Sequence, residues 1–389
     1  LRGSIKKNTP LKLYIIAGEA SGDLHGSNLI KALRAQHESL SIRAWGGELM
    51  EKQGSHVVKH YRELAFMGFY EVLLNLRTIL RNIRFCKQDI EAFEPDALIL
   101  IDYPGFNLRI AKWAHQKGIP VLYYIAPQVW AWKENRIHAM RSHIQHLFVV
   151  LPFEKEYFEK RNMPVTFVGH PLLDQLSNST ETKEQFQARH SLSSKPIIAL
   201  LPGSRKQEIK TMLPIMLEMT QHFPAYQFIV AGAPSQTEAF YKSIALGKDL
   251  TILFGQTSEI LRHADAGLIT SGTATLEAGI YKVPQIVCYK GSPISYAIAK
   301  RLVKINYISL VNLILNRGAV TELIQHDLNV QMLQAELKDL LHNPERRKNI
   351  QLNYDELHQS LGGPGASYRT ANAMLKIIES NAERQTREA

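Results

Sequence analysis

The stretch Leu11 to Asp23, LKLYIIAGEASGD, runs through apolar residues to Gly18 and then into small and polar groups ahead of a helix expected from near His25. An apolar run without polar alternation suits a strand buried on both faces, and strand, glycine turn and helix in succession open an α/β unit. The rhythm repeats. Asp96 to Ile101 ends at Asp102-Tyr103-Pro104-Gly105, Pro120 to Ile125 at Ala126-Pro127-Gln128, His146 to Val150 at Leu151-Pro152, and Val165 to Val168 at Gly169-His170-Pro171. A polar, serine-rich stretch, Ser177 to Ser194, interrupts it. The pattern restarts with Ile197 to Leu201, Tyr226 to Ala231, Leu250 to Phe254, Ala266 to Thr270 and Gln285 to Tyr289. The spacing is that of βα units, so the expected fold class is α/β, with two tandem domains at 11–176 and 195–360. After Gly362-Gly363-Pro364-Gly365, the segment 361–389 carries a helix expected over Ser367 to Ser380. Its stripe of Ala371, Met374, Leu375 and Ile378 is expected to dock on the first domain or on a partner subunit.

The 389 residues are 45% apolar and 21% charged, which excludes disorder, collagen and a small disulfide scaffold. Cys86 and Cys288 form no metal or redox motif, and a reducing compartment is expected. Net charge is +10, which favours a polyanion, an anionic membrane face or phosphorylated small molecules as partners. No apolar run spans a bilayer, and Leu1 to Pro10 reads as a loose basic tail on a cytoplasmic protein. There is no HExxH, Cys/His cluster or Walker A pattern, so neither a metal nor typical ATPase chemistry is expected.

Leu201-Pro202-Gly203-Ser204-Arg205 closes a strand ahead of a helix, where peptide N–H groups bind anions and Arg205 adds a charge-assisted contact; the alternative is a structural turn. Ser271-Gly272-Thr273-Ala274-Thr275-Leu276-Glu277 is a sharper signal. Small residues let phosphate approach the first helical turn, and Glu277 lies a turn deeper, placed for ribose hydroxyls. The bland reading is a capped helix with a wet Glu277. Asp102, directly after a strand, is either a general base toward an alcohol or a cap of the next turn. Gly18 to Asp23, with Ser21, and His170 are each equally a site element or a structural one.

Phe66, Met67, Phe69, Leu73 and Leu74 precede a helix on which Arg77, Arg81 and Arg84 share one face. A basic amphipathic helix after a hydrophobic loop binds an anionic membrane or acyl chains, or else is a core helix with a wet basic face. Trp130 and Trp132 either line a pocket or fill the core.

GEASGD (18–23), ELAFMG (63–68), APQVWAWKENR (126–136), LPFEKEYF (151–158), VGHPLLD (168–174), LPGSR (201–205), SGTATLE (271–277) and KINYISLVNLIL (304–315), in this order, resemble the lipid-A-disaccharide synthase family. The resemblance implies a GT-B-like glycosyltransferase, with two Rossmann-like domains, a central cleft, and C-terminal helices packed back or exchanged in a homodimer. It implies transfer of 2,3-diacylglucosamine from its UDP derivative to 2,3-diacylglucosamine 1-phosphate, giving a β-1,6 disaccharide 1-phosphate and UDP. It also implies no metal or cofactor, no nucleic acid partner, and a peripheral place on the cytoplasmic face of the inner membrane. By matching motif, Asp102 is the leading catalytic residue, Ser21 and Asn312 are site residues, Arg205 with Gly203 and Ser204 faces phosphate, Gly272 and Thr273 with Ser271 and Ala274 hold the pyrophosphate, and Glu277 holds the ribose. Two departures stand out. Gly105 replaces the second carboxylate of the family's Asp-x-Pro-Asp-Phe, and Val311 replaces a proline before Asn312. Rival readings are another GT-B UDP-sugar transferase, a UDP-sugar epimerase, or a non-catalytic UDP-lipid-binding membrane adaptor.

Overall fold

The computed structural model describes residues 10–64, 76–132, 134–176, 180–245, 247, 250–292, 296 and 305–388. The chain forms two compact units, Leu1–Gln175 with Leu361–Ala389, and Leu176–Ser360.

The first unit is built on β1 (Leu11–Ala17), β2 (Leu40–Gly46), β3 (His56–His60), β4 (Ala97–Ile101), β5 (Val121–Tyr124), β6 (His146–Val149) and β7 (Val165–Phe167). They form one parallel sheet in the order β3-β2-β1-β4-β5-β6-β7. All five β4 residues are buried, as an apolar strand covered on both faces requires. β2 and β3 went unread in the sequence because half-buried polar residues interrupt them. Arg43 on β2 reaches Asp89, whose carboxylate also accepts from the Tyr14 hydroxyl at 2.6 Å.

The second unit contains β8 (Ile197–Leu201), β9 (Gln227–Gly232), β10 (Thr251–Phe254), β11 (Ala266–Thr270), β12 (Gln285–Tyr289) and β13 (Thr321–Ile324), parallel in the order β10-β9-β8-β11-β12-β13. In both sheets the direction of strand progression reverses once, between β1 and β4 and between β8 and β11. Open α/β sheets bind ligands outside the carboxyl ends of the strands at such reversals.

Two boundaries differ from the sequence reading. The polar stretch before residue 195 carries a helix of its own. Thr182 caps a helix over Lys183–Arg189, whose Phe186 is fully buried in the second unit's core. The last helix, Ala366–Glu388, continues past Ser380 and packs on the helix Ala20–Gln36 of the first unit, burying Ala371, Met374, Leu375 and Ile378. Asp174 fixes its start by accepting the N–H groups of Gly365, Ala366 and Ser367 at 2.6, 3.1 and 2.9 Å, a carboxylate set on a helix N-terminus. The Arg369 guanidinium donates to the carbonyls of Val168, Gly363 and Pro364 and fills the space beside Gly169, at φ +87°, where a Cβ would meet it at 2.4 Å.

Candidate active site

In the first unit the loops after β1 and β4 meet at the reversal point. Gly18, Glu19, Ser21, Gly22, Ile101, Asp102 and Tyr103 line a small pocket there. Asp102 and Tyr103 both have left-handed backbone, at φ +44° and +49°. Such geometry costs energy in non-glycine residues and needs surroundings that impose it. Those surroundings are present. The Asp102 carbonyl accepts from the Tyr123 hydroxyl and from the Asn107 amide at 2.7 Å, and the Asp102 N–H donates to Tyr124 at 3.1 Å. Burial pushes the Asp102 carboxyl up to about 6, with the negative charge of Glu19 adding to the effect and a hydrogen bond from the Tyr103 backbone opposing it. A carboxylate with that affinity takes a proton far better than an ordinary aspartate.

Gly105 stands in the first turn of the helix Pro104–Gln116 with open space where a Cβ would go. The positive-φ turn lies earlier, at Asp102 and Tyr103, so an aspartate at 105 meets no steric obstacle. Ser21 is exposed at the pocket, whereas Asp23 is buried and structural: its carboxylate accepts the N–H groups of Gly47, Leu49 and Met50 at the start of the helix Glu48–Lys52. His170 is also structural, buried with Nδ1 accepting the Leu172 N–H at 3.2 Å. Glu19, which the sequence does not single out within the Gly18 to Asp23 loop, lies beside Asp102. Its position at the end of β1, opposite the end of β4, was the available signal.

In the second unit the two phosphate-like motifs occupy the equivalent reversal point, after β8 and β11. Gly203, at φ +108°, turns the chain into the helix Lys206–His222, with Arg205 at the position just before its first turn. Two of the N–H groups expected to be free at this turn are occupied. Glu208 accepts from Ser204 N and Arg205 N at 3.2 and 3.3 Å and pairs with the Arg205 guanidinium at 3.0 Å. The reason is local: a glutamate three residues into a helix reaches back to its start.

At the other turn no group among the described residues fills that role. Gly272, at φ +142°, precedes the helix Thr273–Ile280, and the N–H groups of Gly272, Thr273 and Ala274 meet no acceptor among the described residues. The hydroxyls divide. Ser271 donates to Ile308 at 2.9 Å and buried Thr275 to Gly272 at 2.8 Å, which leaves exposed Thr273 facing outward. Glu277 is held by the Ser258 hydroxyl at 3.1 Å, and burial raises its pKa. Asn312 is buried and satisfied on both sides: its amide nitrogen donates to Val320 and Glu322, and its oxygen accepts from Val320 N. Glu322 also accepts from Ile308 N and Ser309 N, so Asn312 and Glu322 together brace the loop that receives Ser271.

The basic helix spans Leu76–Phe93. Arg77, Arg81 and Arg84 are exposed with Leu80 at 55% and Phe85 at 42%, while Asn82, Cys86, Asp89 and Ile90 face the core. Phe66, Met67, Phe69, Leu73 and Leu74 lie outside the described residues. Among the described residues no helix is long and apolar enough to cross a membrane. Glu181, Glu259 and His263 bring potential ligand atoms within 4.8 Å of one another, but Arg189 pairs with Glu181 and Arg262 with Glu259, an arrangement that serves as an ion-pair cluster.

A family model described as Lipid-A-disaccharide synthetase matches residues 13–377. The chain belongs to the lipid-A-disaccharide synthase family. It is 37% identical to the lipid-A-disaccharide synthase of Syntrophus aciditrophicus over 377 residues, covering 94% of this chain and 98% of that one. It is 36% identical to lipid-A-disaccharide synthase 1 of Legionella pneumophila, covering 95% and 99%. Among solved structures it is similar to a UDP-GlcNAc 2-epimerase from Neisseria meningitidis, with a TM-score of 0.67 at 15% identity over 94% of this chain and 100% of that one. A glycosyltransferase from Rickettsia africae gives 0.59 at 13% over 96% and 100%. At these identities the structural likeness speaks for the GT-B-like fold, with its two Rossmann-like units. Family membership makes the chain a hexosyltransferase of lipid A biosynthesis.

Proposed function

We propose that the two units divide the labour of the family's inverting reaction, transfer of 2,3-diacylglucosamine from UDP-2,3-diacylglucosamine to 2,3-diacylglucosamine 1-phosphate. The observation that carries this reading is the placement of Asp102 and of the Gly272 turn at the reversal points of their sheets. Asp102 takes the proton of the acceptor 6-hydroxyl, the oxygen attacks C1 of the donor sugar, and the C1–O bond breaks as UDP leaves, giving the β-1,6 disaccharide 1-phosphate. The N–H groups of Gly272, Thr273 and Ala274 receive the pyrophosphate, with Arg205 adding positive charge, and Glu277 receives the ribose. Ser21 lines the acceptor pocket, and Asn312 acts by holding the loop beside Ser271.

The exposed Arg77, Arg81, Arg84, Leu80 and Phe85 support a peripheral seat on an anionic membrane surface, at the cytoplasmic face of the inner membrane, with the segment 66–74 contributing acyl contacts. An exchange of the C-terminal helix between two copies would hand the Asp174 and Arg369 contacts to a partner. Incubation of the purified protein with both lipid substrates and mass analysis for the tetra-acyl disaccharide 1-phosphate and UDP tests the reaction. Epimerised sugar, or binding without turnover, would contradict it.

A further inference from the structure

Two of the motifs, 126–136 and 151–158, meet in the first unit through one buried carboxylate. Glu154 is 2% exposed in the first turn of the helix Pro152–Glu159. One of its oxygens accepts the Leu151 N–H at 3.1 Å and closes the helix start, while the other accepts the indole N–H of Trp130 at 3.1 Å. Phe153 packs perpendicular to the Trp130 ring, 4.9 Å between centroids and 89° between planes. Trp130 remains half-buried. Its ring is therefore fixed through its polar edge and a neighbouring aromatic while part of its surface stays open.

A buried carboxylate is a costly way to cap a helix or to satisfy one indole. Its position suggests what it serves. β4, β5 and β6 are adjacent, and their carboxyl ends carry Asp102, the Trp130 segment and Glu154 in turn. Asp102 and Glu154 are near enough that the charge of Asp102 adds to the burial that pushes Glu154 up to about 7.

We propose that Trp130 is a platform for the hexose ring of the acceptor beside Asp102, and that Glu154 is the positioning residue that sets the plane of the indole. The proposal rests on the assignment of the acceptor to the first unit. Sugar rings present apolar C–H faces that pack on aromatic surfaces, and a rigid indole orients the ring so that one hydroxyl meets the base. The single amide oxygen of Glu154→Gln accepts either the indole N–H or the Leu151 N–H and turns its NH2 group toward the other donor, so it holds the indole less firmly than the carboxylate, whereas Glu154→Ala releases it.

The test compares Trp130→Phe, Trp130→Ala, Glu154→Gln, Glu154→Ala and the double alanine variant. Acceptor KM is expected to rise about tenfold in each single alanine variant, with kcat changed less than about threefold. Glu154→Gln, which keeps one of the two acceptors, should fall between wild type and Glu154→Ala, and the double variant should be no worse than Trp130→Ala, because the two residues act as one device. UDP affinity by calorimetry should not move. The emission difference between wild type and Trp130→Phe should change as 2,3-diacylglucosamine 1-phosphate is added, a readout independent of turnover. A wild type that answers the acceptor through Trp130 without forming disaccharide overturns the transfer reading and supports the platform. Normal turnover with a silent Trp130 and an unchanged acceptor KM overturns the platform. Should Glu154→Ala not fold, Trp130→Phe and Trp130→Ala decide the matter by the same acceptor KM.

Discussion

Gly18 lies against the ring of Tyr103, so closely that a Cβ at position 18 would meet the ring at 2.3 Å. The contact joins the end of β1 to the left-handed residue after Asp102. Gly18→Ala must displace the ring, which should cost about 1–3 kcal/mol of stability, as overpacking commonly does. Turnover should fall with UDP affinity unchanged. Wild-type turnover in a folded Gly18→Ala protein would show that the Tyr103 position does not matter to the pocket.

The raised pKa of Asp102 has two consequences. As the proposed base, Asp102 must be ionised to work, so kcat/KM should decline with unit slope below about pH 6. Glu19→Gln removes the second cause of the elevation and should move this inflection to lower pH. Glu154 titrates in a neighbouring range, but Glu19 is not among the groups that shift it, so movement with Glu19 identifies Asp102. For stability, a native carboxyl that holds its proton more tightly than the unfolded one favours folding below the unfolded value of 3.8, and this contribution is lost as pH rises through about 6. Asp102→Asn should therefore melt higher than wild type at pH 8, the difference closing toward pH 4. An equal Tm at both pH values, read by calorimetry, would contradict the burial argument.

Glu208 holds the Ser204 and Arg205 N–H groups and the guanidinium, so under the proposed role of Arg205 a nucleotide phosphate would compete with it for them. Glu208→Gln should thus leave UDP affinity unchanged or tighten it, at a stability cost of about 1 kcal/mol for the weakened cap. Arg205→Ala should lower turnover more than substitution of a remote surface arginine. A tenfold or greater loss of UDP affinity in Glu208→Gln would place Glu208 among the ligand contacts.

Replacing Arg77, Arg81 and Arg84 by serine should weaken binding to anionic vesicles and reduce the salt sensitivity of what remains. Leu80→Ser and Phe85→Ser should weaken binding while leaving the circular dichroism spectrum intact, since both side chains are exposed. Undiminished co-sedimentation of the arginine variant at low salt would leave the basic face an ordinary wetted one.

Strands buried on both faces were legible because their apolar runs stand out between Pro and Gly, and with them went the two-unit α/β plan. β2, β3 and β13 were not, because Arg43, Lys59 and Glu322 interrupt them, each satisfied by a partner distant in sequence or across a turn. The positions of Asp102 and the Gly272 turn could be read, since both follow strands directly. That Glu208 would fill the neighbouring anion turn was implicit in its place three residues beyond Arg205. The coupling of Glu19 to Asp102 depends on pairing of β1 with β4, which local pattern does not encode.

The most direct measurement is the single-turnover rate of disaccharide formation by Asp102→Asn, with UDP binding checked in parallel. The groups proposed to hold the nucleotide belong to the other unit, so UDP affinity should be retained while the chemical step slows by roughly 100-fold or more, the scale of general-base catalysis. A near-wild-type single-turnover rate in this variant would contradict the assignment of Asp102 as the base.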